Sequence, residues 1–230
     1  MAGIALFMAG TVSSCKKSKD ETPEEVTYKM VLTTSRAPGE NIRLAFDAAT
    51  ADQAGIWVDV NNNGIRDTGE DPGFGFSINY TVNASRTLNI YGKVSTLDCN
   101  NNDITKLEVS GNSALKILHC GSNKITTLDL SGCPALTELH CWVNQLSVLN
   151  FTVNKDLHIL SCYENLLKNT ALTNMINSLP ARTADAHAYL FNTQATAEGN
   201  TMPTAGNTTT ANGKKWKLYK HENFSWNIIP

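Results

Sequence analysis

The chain has 230 residues and a formal net charge of −2 at pH 7, which is long enough for one or two domains with a sizeable core. Without an excess of positive charge it lacks the field that attracts nucleic acid or anionic lipid, so we expect no nucleic-acid partner. Charged residues make up 17%, below the usual quarter, which favours a surface of strands and turns over long charged helices.

The first fifteen residues have the pattern of an export leader. Residues 3–12 are apolar, but this run is shorter than the ~20 residues of a membrane-spanning helix and is typical of a secretory signal. The run ends in Ser13, Ser14 and Cys15, which resemble the lipobox of bacterial lipoproteins. That resemblance implies a signal peptide over residues 1–14 and a diacylglycerol on Cys15. The alternative is an ordinary secreted protein in which Cys15 stays a free thiol.

Residues 15–26 are predicted to form a tether. They are charged and contain too few apolar residues for a core. Their Lys-Asp-Glu run at 19–21 resembles the surface-export signals of some Gram-negative lipoproteins. We therefore expect a protein held in the outer membrane by lipid, facing the cell exterior and touching the membrane only through its anchor.

Residues 27–92 do not repeat and are predicted to form a small β-domain that caps the start of the repeats. Apolar and polar residues alternate in five segments that are rich in aromatic and β-branched side chains. The predicted strands cover residues 27–33, 42–46, 55–59, 76–82 and 87–91.

A loop in this segment has the residue spacing of a calcium site. Oxygen-bearing side chains occupy positions 1, 3, 5, 9 and 12 of the twelve residues from 59 to 70, and glycine occupies position 6. The spacing resembles an EF-hand loop, and the flanks resemble the calcium loops on strands of bacterial extracellular modules. The implied ligands of a structural Ca²⁺ are Asp59, Asn61, Asn63, Asp67 and Glu70, with the carbonyl of Ile65. The alternative is an Asn/Gly-rich hairpin without metal.

The strongest signal in the sequence is an internal repeat of 21 residues. Four columns of residues recur at this step, and together they give the unit L-x-C-x-x-N-x-[I/L]-x-x-L. The columns begin at Leu97, Cys99, Asn102 and Ile104 and recur three more times each. Because side chains alternate along a strand, Leu and Cys of one unit face the same side and need stacked neighbours to bury them.

The unit resembles the leucine-rich repeat and is most similar to the short repeats of internalin-like and BspA-like bacterial surface proteins. The resemblance implies a mainly β leucine-rich-repeat solenoid of about four coils over residues 93–172. A second half-unit around Leu107, Leu128 and Leu149 predicts another extended side in each coil. Parallel cysteine side chains rarely reach disulfide geometry, so we expect buried free thiols in the cysteine column.

Residues 173–230 are predicted to cap the far end. Leu172, Met175, Ile176 and Leu179 have helical spacing, and residues 186–191, 216–219 and 224–229 have the pattern of strands. Residues 192–213 are rich in Thr, Asn, Ala and Gly, which favours a long loop.

Two columns of outward side chains are candidates for ligand binding. Asp98, His119, His140 and Ser161 form the first column, and Asn100, Gly121, Trp142 and Tyr163 form the second. Neighbouring rungs would hold Trp142 and Tyr163 about 5 Å apart on the same face. The predicted ligand-binding residues are Asn100, His119, His140, Trp142 and Tyr163. The alternative is that the aromatic rings pack against a loop or a cap, and His119 and His140 are also a candidate metal pair with Asp98.

These features predict a surface binding or adhesion module that recognises a host or bacterial protein, a peptide or a glycan. No nucleophile motif, metalloprotease motif or phosphate loop occurs, so we do not expect an enzyme. An accessory domain of a surface enzyme and a spacer without a specific ligand remain as alternatives.

Overall fold

The computed structural model describes residues 28–230. The predicted signal peptide, the tether and the lipidation site Cys15 lie outside the described residues. Within residues 28–230 the protein is mainly β, with a four-stranded sheet and a nine-stranded sheet.

The N-terminal part forms five strands, close to the segments predicted from sequence. They are β1 (Lys29–Thr34), β2 (Asn41–Asp47), β3 (Trp57–Asp59), β4 (Ser77–Thr81) and β5 (Thr87–Tyr91), with one helical turn, α1 (Thr50–Gln53), between β2 and β3. Alternate residues of β1 and β2 are buried, as a sheet with one covered face requires.

The repeats contribute one short strand for each 21-residue unit. These strands are β6 (Thr96–Asp98), β8 (Ile117–His119), β9 (Glu138–His140) and β10 (Ile159–Ser161), and the first unit adds β7 (Ile104–Glu108). Strands β6, β8, β9 and β10 pair in parallel, which aligns Leu97, Leu118, Leu139 and Leu160 in one buried row. Equivalent residues of successive units are therefore direct neighbours.

The N-terminal strands continue the two sheets of the repeats. Strand β2 pairs antiparallel with β6, and β1 pairs antiparallel with β7. Both strands of the first unit thus have hydrogen-bonded partners in the N-terminal part, so the first unit does not leave its own strand edges or its core open.

The asparagine column forms a buried hydrogen-bonded ladder. Oδ1 of Asn144 accepts from the N–H of Ile125 at 2.9 Å, and its Nδ2 donates to the carbonyls of Cys120 and Cys141. Asn123 and Asn165 make the equivalent bonds one unit earlier and one unit later. Each amide therefore satisfies backbone groups that the turn after the strand leaves unpaired.

The cysteine column lines the interior beside this ladder. Cys99, Cys120, Cys141 and Cys162 are fully buried and form no disulfide. Burial raises the pKa of the Cys120 thiol to about 12, so it stays neutral and packs as a small apolar group.

A second polar column at the same step was not recognised in the sequence. It consists of Asn112, Cys133 and Asn154, all fully buried. Nδ2 of Asn112 donates to the carbonyl of Val94, and Nδ2 of Asn154 donates to the carbonyls of Leu130 and Cys133. The thiol of Cys133 donates to the carbonyl of Val109. In the middle of this column a thiol therefore makes the kind of backbone hydrogen bond that an asparagine amide makes in the units on either side.

The C-terminal part extends the parallel sheet before turning back. It comprises α2 (Asn169–Ser178), β11 (Ala186–Asn192), α3 (Ala205–Gly213), β12 (Trp216–Glu222) and β13 (Ser225–Ile228). Strands β11 and β12 continue the parallel row, and β13 pairs antiparallel with β12 at the edge.

The prediction of a long loop over residues 192–213 was wrong for the second part of that segment, which is helix α3. Thr204 begins this helix with a capping box, in which its hydroxyl and Asn207 satisfy each other's backbone N–H groups. Within the first part, Asn200 accepts from the N–H of Leu167 at 2.8 Å and donates to the carbonyl of Cys162. Asn200 therefore adds a rung to the asparagine ladder from outside the 21-residue step.

Candidate functional site: the outward face of the parallel sheet

The outward face is the side of the nine-stranded sheet opposite the buried leucine row. It is formed by the side chains on either side of Leu97, Leu118, Leu139 and Leu160, and by the residues that follow each strand. Three columns of side chains run across the strands here, because parallel in-register pairing aligns equivalent positions. Polar and titratable groups lie on β6, β8 and β9, and aromatic rings lie from β9 onward.

His119, Glu138 and His140 form a compact group that we call the histidine cluster. Glu138 and His140 lie two residues apart on β9, and His119 is the cross-strand neighbour of His140 on β8. Oε1 of Glu138 lies 2.7 Å from Nε2 of His140 and 3.3 Å from Nε2 of His119. The two imidazole rings are 4.7 Å apart between centroids and nearly perpendicular.

Neighbouring charges and burial shift the pKa values of His119 and His140 in opposite directions. Asp98, whose Oδ2 lies 3.9 Å from Nδ1 of His119, is the main cause of a raised His119 pKa, and at that separation the attraction is electrostatic rather than a hydrogen bond. Burial lowers the pKa of His140 and outweighs the opposing effect of Glu138. Burial acts to raise the pKa of Glu138, but the two histidines hold it below the usual value. The carboxylate is therefore ionised and shared between two imidazoles.

Aromatic rings follow the histidine cluster along the same face. Trp142 and Tyr163 are stacked, with centroids 5.9 Å apart and planes 5° from parallel. The Trp142 ring also lies over Gly121, where a Cβ atom would come within 2.5 Å of Cε2 of the indole. Glycine at position 121 thus lets the indole lie flat on the sheet, and both rings are half-buried.

The last strand adds a further ring to this row. Trp226 on β13 lies 5.0 Å from Tyr163 and 5.1 Å from Tyr189 between ring centroids, and Tyr189 stacks on Tyr219 at 4.9 Å. We call Trp142, Tyr163, Tyr189, Tyr219 and Trp226 the aromatic row. The structure therefore covers one side of Tyr163 with a cap residue, as the alternative interpretation expected. The face of Trp142 away from Tyr163 lies against Gly121.

The predicted ligand-binding residues all lie on the outward face but do not form one group. His119 and His140 meet in the histidine cluster, and Trp142 and Tyr163 meet in the aromatic row. Asn100 lies two units away from Trp142, and its side-chain oxygen accepts the N–H of Gly121 at 2.5 Å. Its role in the structure is thus to bridge two rungs.

Sequence reasoning missed Glu138, Tyr189, Tyr219 and Trp226. Glu138 precedes the buried Leu139, so the alternation that placed His140 outward also places Glu138 outward and could have found it. Trp226 carried no such signal, because its position depends on β13 turning back on β12, which the repeat step does not predict.

The loop from Asp59 to Glu70 is separate from the outward face and has buried carboxylates at both ends. Asp59 and Glu70 are almost completely buried. The carboxylate of Asp59 accepts the N–H groups of Asn63 and Gly64, and that of Glu70 accepts those of Val60 and Asp67. Gly64, at position 6, has a φ of 73°, which permits the sharp turn of a calcium loop.

The remaining predicted ligands fit a hard cation less directly. Asn61 and Asn63 donate through Nδ2 to Oδ2 of Asp67, and these two bonds lower the pKa of Asp67. Among residues 28–230, no lysine or arginine forms an ion pair with the three loop carboxylates, since Arg66 pairs with Asp71 outside the loop. A loop with three carboxylates and no paired cation fits a divalent ion by charge, and the asparagine oxygens would have to turn inward to join the ligands.

Comparison with known proteins finds similarity among solved structures. No family model matches the chain, and no curated protein matches it. Among solved structures the chain is similar to the functional domain of InlJ from Listeria monocytogenes, which is described as including a cysteine ladder. The two are 30% identical with a TM-score of 0.39, and the similarity covers 54% of this chain. The chain spans only 24% of the length of that protein chain.

No helix between residues 28 and 230 has both the length and the apolar character needed to cross a membrane.

Proposed function

We propose that the protein is a surface-exposed binding or adhesion module built on a leucine-rich-repeat solenoid of the internalin-like type, and that it binds a protein, peptide or glycan on its outward face. The observation that carries this proposal is the aromatic row. Its five rings contact one another in pairs, with Trp142 stacked on Tyr163 and Tyr189 stacked on Tyr219, and Trp142 and Tyr163 remain half-exposed. Rigid aromatic side chains contribute large contact area for little loss of conformational entropy, so they suit ligand recognition.

The sheet beneath the row supports this proposal because it holds the rings in place. Trp142 is held between Gly121 and Tyr163, and its own carbonyl accepts from Asn144 of the buried ladder at 3.3 Å. A site whose side chains are fixed before binding loses less entropy when the ligand arrives. The core below the row is apolar and the same in each unit, so the outward residues are free to vary with the ligand.

Array screening followed by substitution tests this function. The full chain carrying Cys15→Ser is screened against glycan and protein arrays, and the affinity of each ligand found is measured for Trp142→Ala and Tyr163→Ala. We expect each substitution to weaken binding about tenfold or more, as for buried interface aromatics, with folding unchanged by circular dichroism.

Phe224→Ala is the matched control, because Phe224 is also aromatic but is 90% exposed in the turn before β13. It should bind normally. Absence of any ligand on both arrays would favour the spacer function, and equal affinity of all three variants would remove the aromatic row as the site.

The proposal includes a lipid anchor at Cys15 that holds the protein on the outer membrane with the binding face outside the cell. The support is the lipobox-like run that ends in Cys15 and the charged residues that follow it. Two or more acyl chains give stable anchoring, at ~0.8 kcal/mol per buried methylene. Labelling of cells with radioactive palmitate should mark the protein, and Cys15→Ser should abolish the label.

A structural Ca²⁺ in the loop from Asp59 to Glu70 is also part of the proposal. It would be held by Asp59, Asn61, Asn63, Asp67, Glu70 and the carbonyl of Ile65. Its contribution would be to fix the loop between β3 and β4 by neutralising three carboxylates.

A further inference from the structure

We infer that His119, Glu138 and His140 form a binding site for a divalent transition-metal ion, of which Zn²⁺ is the main candidate. The three side chains come from two neighbouring strands whose backbone positions are set by the repeat. Their ligand atoms, one from each residue, all lie within 4.8 Å of one another.

The geometry is close to what a zinc ion needs. Ligand atoms about 2.0–2.1 Å from a tetrahedral zinc ion lie roughly 3.3 Å from one another. Nε2 of His119 is 3.3 Å from Oε1 of Glu138, while Nε2 of His140 is closer, at 2.7 Å. A small outward movement of the exposed part of the Glu138 side chain would make room for the ion.

The surroundings of Glu138 increase its attraction for a cation. In the parallel pairing, Glu138 lies between Ile117 on β8 and Ile159 on β10, both half-buried. A carboxylate with apolar side chains on two sides is less screened by water, so a neighbouring cation is held more strongly. Its second oxygen, Oε2, makes no hydrogen bond within residues 28–230, which leaves it available as a ligand.

Asp98 occupies the position of an orienting residue. Metal-bound histidines usually direct their other ring nitrogen at a carboxylate or carbonyl, which fixes the tautomer. Here Nε2 of His119 faces Glu138, and Nδ1 of the same ring faces Asp98. Asp98 is itself held by the N–H of Asn100 at 3.0 Å.

The ligand types and the exposure indicate which ions fit. Two imidazoles and one carboxylate favour zinc and neighbouring transition metals over Ca²⁺ or Mg²⁺, which prefer oxygen ligands only. The three side chains are 24–30% exposed, so an ion can enter from solvent without unfolding the sheet. Three protein ligands leave a fourth position open to water or to a group of a bound partner.

Titration of the full untagged chain with Zn²⁺ tests the site. Isothermal titration calorimetry should show one ion per chain, and Glu138→Gln and His119→Ala should each weaken binding about tenfold or more. Glu138→Gln keeps the shape of the side chain, so it separates loss of a ligand from loss of packing. His158→Ala is the matched control, because His158 lies just before β10 and the one hydrogen bond of its imidazole within residues 28–230 is to the carbonyl of Asp156.

Co²⁺ identifies the ligands spectroscopically. A tetrahedral site of nitrogen and oxygen ligands should give visible absorption bands without the near-ultraviolet band of a cobalt–thiolate bond. That spectrum should disappear in Glu138→Gln and His119→Ala and persist in His158→Ala.

Three results would overturn the inference. They are no Zn²⁺ binding at several hundred micromolar, equal affinity in both cluster variants, and a thiolate band, which would assign the ion to the cysteines. If one cluster variant is unfolded by circular dichroism, the other decides the result. None of these measurements uses a ligand from the arrays. The metal site can therefore be disproved while the proposed function stands, and the reverse also holds.

Discussion

At the scale of single residues, the asparagine ladder shows how much of the fold depends on a few buried amides. Asn144 accepts one backbone N–H and donates to three carbonyls, in two neighbouring units. The groups on Ile125, Cys120 and Cys141 are buried, so they cannot turn to water if the amide is lost. The repeated asparagine is therefore a backbone-satisfying residue, and its recurrence follows from the turn it completes.

We expect Asn144→Ala to lower the free energy of unfolding by about 3 kcal/mol, because it leaves several buried polar groups unpaired and each costs ~1–3 kcal/mol. Urea unfolding followed by circular dichroism measures this change. Asn150→Ala is the control, because Asn150 is exposed and bonds only to the N–H of Thr152, and it should change stability by less than about 0.5 kcal/mol. Equal effects of the two substitutions would contradict the role given to the ladder.

The positions of single residues could be predicted from the sequence where a residue type recurs every 21 residues. The columns of leucine, cysteine and asparagine could be placed inside because they recur, and the structure buries all of them. Glu138 was overlooked because its column reads Thr96, Ile117, Glu138 and Ile159, in which no residue type repeats strictly. Cys133 was overlooked for the same reason, since its column alternates between asparagine and cysteine.

At the scale of elements, the loop between β3 and β4 is the clearest test of a ligand proposed from sequence. We expect 5 mM Ca²⁺ to raise the melting temperature by about 3–6 °C. A site with a dissociation constant of about 0.5 mM gains roughly 1.4 kcal/mol at that concentration. Differential scanning calorimetry with and without the ion gives the shift.

Asp59→Asn should remove the response to Ca²⁺, because it takes away a buried carboxylate at the first ligand position. Asp71→Asn should keep it, because Asp71 is exposed, lies just past the loop and pairs with Arg66. A melting temperature that does not change with Ca²⁺ in the unsubstituted protein would show that the loop is a metal-free hairpin.

Strand positions at both ends of the chain were predictable, but their partners were not. Alternation located β1, β2 and β12 within a few residues. It could not show that β2 pairs with β6 or that β13 folds back on β12, because such pairings depend on contacts between distant segments. Helix α3 was predicted as a loop because its Thr, Asn and Gly content disfavours helix, and burial of Asn207, Thr208 and Ala211 outweighs that preference.

At the scale of the whole molecule, each repeat contacts mainly the repeats on either side of it. The proposed solenoid therefore should accept an additional unit without change at its ends. We expect a chain with a second copy of residues 121–141 inserted after Cys141 to fold cooperatively, with an m-value about 10% higher from the added buried surface.

After this insertion each strand keeps the same kind of neighbour on both sides. Trp142, for example, would lie over the inserted copy of Gly121. Insertion of the same segment without its last residue is the control. That shorter insert shifts one strand by a residue and turns its buried side chains outward, so it should lower the midpoint of urea unfolding. Equal midpoints for the two insertions would argue against stacking at a fixed step.

Trp226 makes the two ends of the outward face different from each other. The indole contacts Tyr163 and Tyr189, so β13 covers the row beyond Trp142, whereas the outward face on the other side of Trp142 leads to His140 and His119. Under the proposed function, an elongated ligand lying across the strands would be blocked by the indole at its leading end. A chain terminus would then fit better than an internal stretch of polymer, and the protein would distinguish the two ends of the same molecule.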